Sequence, residues 1–324
     1  MFVLPFEISQ APFSLSIRDH VILMGSCFSE NIGAKLTGHK FRALINPFGV
    51  IYNPISIFKT LQQSVNPQPQ EDRIVEADQI YHHWDTHSDL SDPSRETLIL
   101  KLKKQRELTR TILSQASTLV LSPGTSWVYR HHSDHSIVAN CHKVPQKEFT
   151  KSLLTVDQIT QSYSETISLV RSLNPQLNVV VTISPVRHVR DGLIENNQSK
   201  AILIEAVRQI IANDTKASYF PSYEILIDVL RDYRFYKEDM IHPNDQAIDY
   251  IWEKFGQSYF DRETQNFIKE WGKLAKSMNH RPFHPETAAH QSFLKSTAKK
   301  LQSLADVVDI EEELKAIKKQ LLDS

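Results

Sequence analysis

The chain has 324 residues, of which 40% are hydrophobic and 23% charged, and its net charge is -1. This length accommodates one large α/β domain or two ordinary ones, and the balanced charge gives no general attraction to nucleic acid or anionic lipid. Two cysteines provide neither a disulfide framework nor a four-cysteine zinc site. No apolar run reaches the roughly 18 residues of a membrane helix, and the N-terminus lacks a secretory-signal pattern. We therefore expect a cytoplasmic protein without nucleic-acid or membrane partners.

Apolar runs alternate with amphipathic stretches through the first 260 residues. Buried strands are predicted over 21–25, 117–124, 177–186 and 218–226. Helices are predicted over 29–38, 156–173, 197–212 and 244–260, with Asn197 or Ser199 as the cap of the third. The continuous β-branched run at 177–186 is typical of a central strand buried on both faces. This alternation predicts an α/β fold, a doubly wound parallel sheet with helices on both faces.

Two regions interrupt the alternation. The stretch from about 64 to 95 is rich in Pro, Gln, Asp, Ser and His and is interpreted as an insertion with loops. Residues 261–324 form a polar helical extension after a main domain of residues 1–260. The end of the extension carries an apolar stripe of Leu304, Val307, Val308, Leu314, Ile317 and Leu321. This stripe either docks on its own chain or forms a homodimer; docking is favoured because three heptads barely sustain a free coiled coil.

The first strand ends at Gly25-Ser26-Cys27, where chemistry is expected. In a doubly wound fold, ligands bind outside the carboxyl ends of the strands. Ser26 lies between a buried strand and a helix, and the free N–H groups of that helix can stabilise an oxyanion. Alternatively, Ser26 or Ser29 simply caps the helix. Cys27 is a rival nucleophile, but small buried cysteines are usually inert.

A second candidate feature is Asp239, three residues before His242 in the segment EDMIHPN. The carboxylate can bind the imidazole Nδ1 and leave Nε2 facing a serine hydroxyl. Pro243 fits the first position of the following helix. The alternative is a surface loop in which the aspartate is only a cap.

An early Ser followed by a late Asp-x-x-His resembles the SGNH, or GDSL-like, hydrolases. The segments GSCFSENIG, NPFGVIYNP, SPGTSWVY, VANCHKVP, SPVRHVRDG, YFPSYEI and LRDYRFYKEDMIHPN together resemble the GSCFA family, from about Phe6 to Phe260. This resemblance implies a flavodoxin-like SGNH fold and an esterase site in which Ser26 attacks, His242 acts as base and Asp239 orients it. It implies no metal and no cofactor. The implied substrate is an acyl ester, possibly acetyl, of a carbohydrate or small molecule.

The resemblance also implies oxyanion donors from two further blocks. The second-block glycine is Gly49, and the third block begins at Gly124, where Ser126 replaces the expected asparagine. Ser126 itself, Asn140 or Asn53 would then supply the side-chain donor.

Arg187 and His188 follow the third strand and are candidates for binding a substrate carboxylate or hydroxyl. Alternatively, Arg187 is structural and pairs with Asp191. The histidines near residues 82–87 and 131–135 lack the ligand spacing of a strong zinc motif and are interpreted as solvated.

The leading hypothesis is a serine esterase. It predicts that p-nitrophenyl acetate hydrolysis is lost in Ser26→Ala and His242→Ala but survives in Cys27→Ala. Two alternatives remain open at this point. One is a non-catalytic or weakly catalytic ligand-binding or assembly module on the same fold, and the other is an acyltransferase that uses Ser26.

Overall fold

The computed structural model describes residues 4–68, 71–278 and 283–321. Within these ranges the strands are β1 (His20–Gly25), β2 (Arg42–Ile45), β3 (Ile74–Ala77), β4 (Ile80–His83), β5 (Thr118–Ser122), β6 (Trp127–His131), β7 (Ile137–Val138), β8 (Phe149–Leu153), β9 (Asn178–Thr182) and β10 (Ala217–Phe220). The helices are α1 (Cys27–Gly38), α2 (Pro54–Val65), α3 (Arg95–Leu113), α4 (Val156–Leu173), α5 (Leu193–Asn213), α6 (Ser222–Glu224), α7 (Asp245–Tyr259), α8 (Arg262–Met278), α9 (Ala288–Gln302) and α10 (Glu311–Lys318). No helix in these ranges combines the length and apolarity needed to cross a membrane.

Five parallel strands form the central sheet in the order β10-β9-β5-β1-β2. Val21 of β1 lies opposite Ala43 of β2 on one side and Thr118 of β5 on the other. Counted along the chain, the order is 2-1-3-4-5, which is the flavodoxin-like arrangement. The predicted doubly wound fold is therefore confirmed. The direction of winding reverses between β1 and β5, and the crevice at their carboxyl ends is where such folds bind ligands.

The central strands are buried on both faces because successive side chains point to opposite sides of the sheet. Val21 and Leu23 pack in a core with α1, α7 and the C-terminal helices. Ile22 and Met24 pack in a second core with α2, α4 and α5. All four side chains are at most 2% exposed. Burial on both faces explains why these strands appear in the sequence as continuous apolar runs.

Two small antiparallel sheets accompany the central one. β7, β6 and β8 form a three-stranded sheet, and β3 pairs with β4 in a hairpin. Trp84, Val138 and Phe149 form a separate small core there. The stretch from about 64 to 95 thus contains a hairpin. The helices α2 and α3 on either side of it, and the sheet β6–β8, were not among the predicted elements.

The predicted start of the third helix and the predicted position of Pro243 within the fourth are wrong. α5 begins after Gly192, whose φ of +96° suits a glycine, and Ser199 instead bonds to Ser126 inside the protein. α7 begins after Asn244, whose Oδ1 accepts the N–H of Ala247 at 3.1 Å. Asparagine caps a helix better than the preceding residues do, so Pro243 lies outside the helix.

The C-terminal helices pack against the main body of the same chain. Trp271, Leu301 and Ile317 are at most 3% exposed and belong to the core that includes α1. The Trp271 indole Nε1 donates to the carbonyl of Gly38 at 2.8 Å, at the end of α1. The stripe predicted from the sequence contacts that core as well.

Candidate active site

The junction between β1 and α1 is a tight turn against the end of β5. Gly25 has a φ of +137°, and a Cβ at this position would lie 2.4 Å from the carbonyl oxygen of Ser122. The N–H of Ser26 donates to that oxygen at 3.0 Å. Only glycine permits this close approach of the two strands. The turn therefore fixes which way the next two side chains point.

Ser26 is the N-cap of α1. Its Oγ accepts the N–H of Phe28 at 3.3 Å and lies 3.2 Å from Ser122 Oγ, which in turn lies 2.7 Å from Ser29 Oγ. The residue is only 1% exposed. The capping alternative is thus confirmed. The role of Ser26 as nucleophile stays a prediction. In the described part of the chain, the Ser26 side chain forms hydrogen bonds to β5 and α1 rather than to His242.

Asp239 and His242 form the hydrogen-bonded pair that their spacing predicts. His242 Nδ1 lies 2.6 Å from Asp239 Oδ2, and Asp239 Oδ1 accepts the N–H groups of Ile241 and His242 at 2.9 Å each. The His242 backbone bond, then its side-chain bond, lower the pKa of Asp239 to about 2. The carboxylate is therefore ionised at neutral pH. It accepts a hydrogen bond from Nδ1–H and leaves Nε2 as the free basic nitrogen.

A cavity of about 570 Å³ opens at the carboxyl edge of the sheet, beside this pair. Its lining brings together His242 and, from the first turn of α1, Cys27. The polar and charged residues of the lining also include Tyr52, Asn53, Arg187 and His188. Residues of β6 and β7 form the opposite wall. Cys27 is half-buried. Ser26, directly before it, does not contribute to this lining.

A second cavity of about 340 Å³ lies between α2, α3 and β3. Its lining is mainly apolar and contains none of the residues predicted for the site. The cavity at the carboxyl edge is therefore the candidate active site.

The two glycines predicted as oxyanion donors are not placed for that role. The Gly49 N–H donates to the Asn46 carbonyl at 2.8 Å, which closes a turn at a φ of +76°. The Gly124 N–H donates to the Tyr52 carbonyl at 2.7 Å. Both amides are thus already engaged within loops of the same chain.

The side-chain candidates separate clearly. Ser126 is fully buried, and its Oγ bonds to Ser199 rather than facing the cavity. Asn140 lies outside the cavity lining, and its Oδ1 accepts the N–H of His142 at 2.9 Å. Asn53 does line the cavity, and its Oδ1 caps α2 through the Ser56 N–H at 2.8 Å. The side-chain NH₂ of Asn53 is therefore the candidate donor among these residues.

Arg187 and His188 lie at the cavity as predicted. Burial lowers the pKa of His188 to about 4, so this imidazole is neutral at physiological pH. The Arg187 guanidinium lies 4.9 Å from the centre of the Tyr236 ring. Its Nη1 is buried and has no hydrogen-bond partner in the described part of the chain. Asp191 pairs with Lys151 instead, so the alternative of an Arg187–Asp191 pair is wrong.

The interpretation of the 82–87 histidines as solvated is wrong for His83. Its side chain is 1% exposed beneath the hairpin, and burial lowers its pKa to about 3. His82 stacks on His142 with ring centroids 4.5 Å apart. Across residues 4–68, 71–278 and 283–321, no three His, Cys, Asp or Glu side chains are grouped so as to hold a metal ion.

Comparison with protein families places the chain. Residues 20–255 match the GSCFA family, and residues 271–323 match the C-terminal domain of GSCFA domain proteins. The chain therefore belongs to the GSCFA family, as the sequence motifs predict. No curated protein matches it.

Solved structures with similarity to the chain include three carbohydrate-active esterases. A carbohydrate esterase family 3 protein from Talaromyces cellulolyticus is 11% identical, with a TM-score of 0.35 over 78% of this chain and 99% of that one. A family 3 carbohydrate esterase from Clostridium thermocellum is 10% identical, with a TM-score of 0.32 over 78% and 98%. An acetyl xylan esterase from Butyrivibrio proteoclasticus is 8% identical, with a TM-score of 0.36 over 80% and 66%.

Proposed function

We propose that the protein hydrolyses acyl esters at the carboxyl-edge cavity, with His242 as general base and Asp239 as the residue that orients it. The observation that carries this proposal is the 2.6 Å Asp239–His242 pair beside a cavity that the first turn of α1 also reaches. A base held in one tautomer next to a nucleophile-bearing helix N-terminus is the arrangement that acyl transfer requires.

The chemistry follows the general scheme of nucleophilic acyl transfer. His242 Nε2 takes the proton of the nucleophile, and Asp239 stabilises the resulting imidazolium without accepting the proton. The nucleophile comes from the turn that contains Ser26 and Cys27. The sequence predicts Ser26 for this role. The Cys27 N–H at the start of α1 and the Asn53 amide are the proposed oxyanion donors.

The walls of the cavity favour a small acyl ester of a carbohydrate or similar polar alcohol. Its volume falls within the ordinary range for small-molecule sites. Tyr52, Trp127 and Tyr129 supply aromatic faces, on which a sugar ring can pack. The Arg187 side chain on the cavity wall supplies a positive charge for a polar or anionic substituent.

Hydrolysis is favoured over transfer to a second alcohol because the base is open to water. The His242 side chain is 40% exposed and that of Asp239 44% exposed. Water therefore reaches an acyl intermediate easily. An acyltransferase would need a second bound alcohol that outcompetes this water.

The test is ester hydrolysis with a matched pair of histidine variants. The rate of p-nitrophenyl acetate hydrolysis is expected to fall at least about a hundredfold in His242→Gln. His284→Gln is the control, since His284 is an exposed histidine with Glu286 as acidic neighbour at 3.7 Å but lies outside the cavity. Equal rates in wild type and His242→Gln would refute the proposal. Added glycerol as a competing acceptor separates hydrolysis from acyl transfer, because transfer would yield glyceryl acetate.

A further inference from the structure

We infer that the nucleophile is Cys27, and that Ser26 acts as the helix cap beneath it. This inference rests on the proposed function, because it assigns a role within the same acyl-transfer site. It reverses the expectation that ester hydrolysis survives in Cys27→Ala.

The first argument is the direction of the two side chains. The turn at Gly25 presses the chain against Ser122, so the Ser26 hydroxyl faces β5 and is 1% exposed. Cys27 is the first residue of α1, and its half-buried side chain lines the same cavity as His242. An attacking atom must reach substrate and base together. Cys27 lines the cavity together with His242, whereas the Ser26 Oγ is held by Ser122 and the Phe28 N–H.

The second argument is the set of groups around the thiol. Burial, followed by Glu30, raises the pKa of Cys27, while its own backbone N–H, the Tyr52 hydroxyl and Lys237 act in the opposite direction. The resting thiol is therefore protonated at neutral pH. Attack then requires a base to remove the proton, and His242 with its Asp239 partner is the base on the cavity wall.

The step can be written with every atom accounted for. Cys27 Sγ bonds to the acyl carbon while its proton passes to His242 Nε2; the ester C–O bond breaks, and the alcohol leaves with that proton. A water molecule then attacks the thioester carbon and gives a proton to His242. The C–S bond breaks, and the thiolate recovers the proton. The net reaction is ester plus water to acid plus alcohol.

The first experiment compares three variants with the wild type on p-nitrophenyl acetate. Cys27→Ala is expected to lose at least about a hundredfold in rate, whereas Ser26→Ala retains measurable turnover. Cys141→Ala is the matched control, because Cys141 is the other half-buried free cysteine and lies outside the cavity. Turnover in Cys27→Ala within a few-fold of wild type would overturn the inference. Circular dichroism melting of each variant establishes that a loss of rate is not a loss of fold.

The second experiment identifies the bond in the acyl-enzyme. Enzyme quenched in acid during turnover is digested, and the acetyl group is located by fragment mass spectrometry. An acetyl on Cys27 that neutral hydroxylamine removes is the expected thioester. In Cys27→Ser the adduct is expected to resist neutral hydroxylamine, as an ordinary ester does. A hydroxylamine-resistant acetyl on Ser26 of the wild-type protein would overturn the inference.

Alkylation by iodoacetamide separates the two proposals. Cys27 is expected to react faster than Cys141, and His242→Gln is expected to slow only the reaction at Cys27, by at least about tenfold. If no ester is hydrolysed but this dependence holds, the ester substrate class is wrong and the Cys27–His242 assignment stands. Equal alkylation of Cys27 in wild type and His242→Gln refutes the assignment whatever the substrate.

Discussion

Two charged clusters of this protein are each built around an aspartate but serve opposite purposes. Asp85 is fully buried and is held by Arg73 at 2.6 Å, Lys59 at 3.0 Å and the Gln63 amide at 3.0 Å. Asp239 is exposed and has its imidazole partner and two backbone N–H groups in its own loop. The first cluster connects the β3–β4 hairpin to α2. The second lies open at the cavity.

The difference shows what burial does to a carboxylate. Burial tends to raise the pKa of Asp85, but Lys59 and Arg73 outweigh it and hold the pKa below its usual value. Every oxygen of that carboxylate is committed to a cation or amide, so it cannot exchange partners during a reaction. Asp239 remains ionised through local hydrogen bonds, and its imidazole keeps one nitrogen free. A buried carboxylate whose oxygens are all paired stabilises the fold. An exposed carboxylate whose histidine partner keeps one nitrogen free can support acid–base chemistry.

The largest expected effect on stability is at the buried cluster. Asp85→Ala removes the carboxylate and leaves Arg73 and Lys59 without their shared partner. Breaking a buried pair in this way costs about 3–5 kcal/mol. Urea denaturation followed by circular dichroism measures it, and Asp239→Ala serves as the control with an unchanged midpoint. Similar midpoints for the two variants would erase the distinction between the clusters.

The exposed cluster should show the reverse behaviour. Asp239→Asn keeps the size of the side chain but weakens the hold on the Nδ1–H tautomer and the stabilisation of the imidazolium. We expect kcat to fall about a hundredfold or more, with the melting temperature within a degree of wild type. Steady-state kinetics and a thermal melt on the same preparation measure the fall in kcat and the melting temperature. Normal kcat with a lowered melting temperature would make this pair structural too.

Lys200 is a third case, a buried cation without an acidic partner among the residues that the structure describes. It is 1% exposed and donates to the carbonyls of Gly124 and Ser184 at 2.6 and 2.5 Å. Burial lowers its pKa to about 7, below the roughly 10.5 of an unfolded lysine. Between these values the unfolded chain binds the extra proton, so the free energy of unfolding rises with pH.

We therefore expect the titration of Lys200 to raise the free energy of unfolding by about 2 kcal/mol between pH 7 and pH 9. The measurement is urea denaturation of wild type and Lys200→Met at both pH values. The free energy of unfolding of the wild type should increase relative to that of the variant as the pH rises. A difference between the two proteins that does not change with pH would contradict the lowered pKa of Lys200.

The smallest expected effect is at the helix cap. Ser26→Ala removes the acceptor for the Phe28 N–H and should cost about 1 kcal/mol. Ser94→Ala is the matched control, because Ser94 caps α3 by accepting the Thr97 N–H at 3.2 Å, away from the cavity. Equal losses of stability, with turnover retained in both, would fit a capping role. Loss of all turnover in Ser26→Ala alone would favour the serine predicted from the sequence.

The sequence predicts the central fold well because its signals are local. β1, β5 and β9 are apolar runs, and α4 and α7 have a clear helical period, so each is recognisable without its neighbours. β2 is a short edge strand of the sheet, with a partly exposed pattern. The strands β6 to β8 are short and of mixed polarity. Their pairing depends on contacts that no local pattern encodes.

The same distinction applies to the site. The Asp239–His242 contact spans three residues, so spacing alone predicts it. Whether Ser26 or Cys27 faces the cavity depends on Ser122, which is 96 positions away from Ser26. The positions of Gly49, Ser126 and Asn140 likewise depend on loops whose course the sequence pattern does not reveal. One signal was available: a serine that caps a helix is already using its hydroxyl.

The docked C-terminal stripe has a consequence for self-association. Ile317 of α10 is 2% exposed against the core that contains α1, and Lys40 pairs with Glu313 of α10 at 2.6 Å. A second copy can use this surface only by displacing the first copy's own helix, which is an exchange of identical segments between protomers. A dimer formed in this way would exchange slowly with monomers, so the proportion of dimer would depend on the earlier concentration of the sample. Dilution of a concentrated stock would then give a lag before monomers appear.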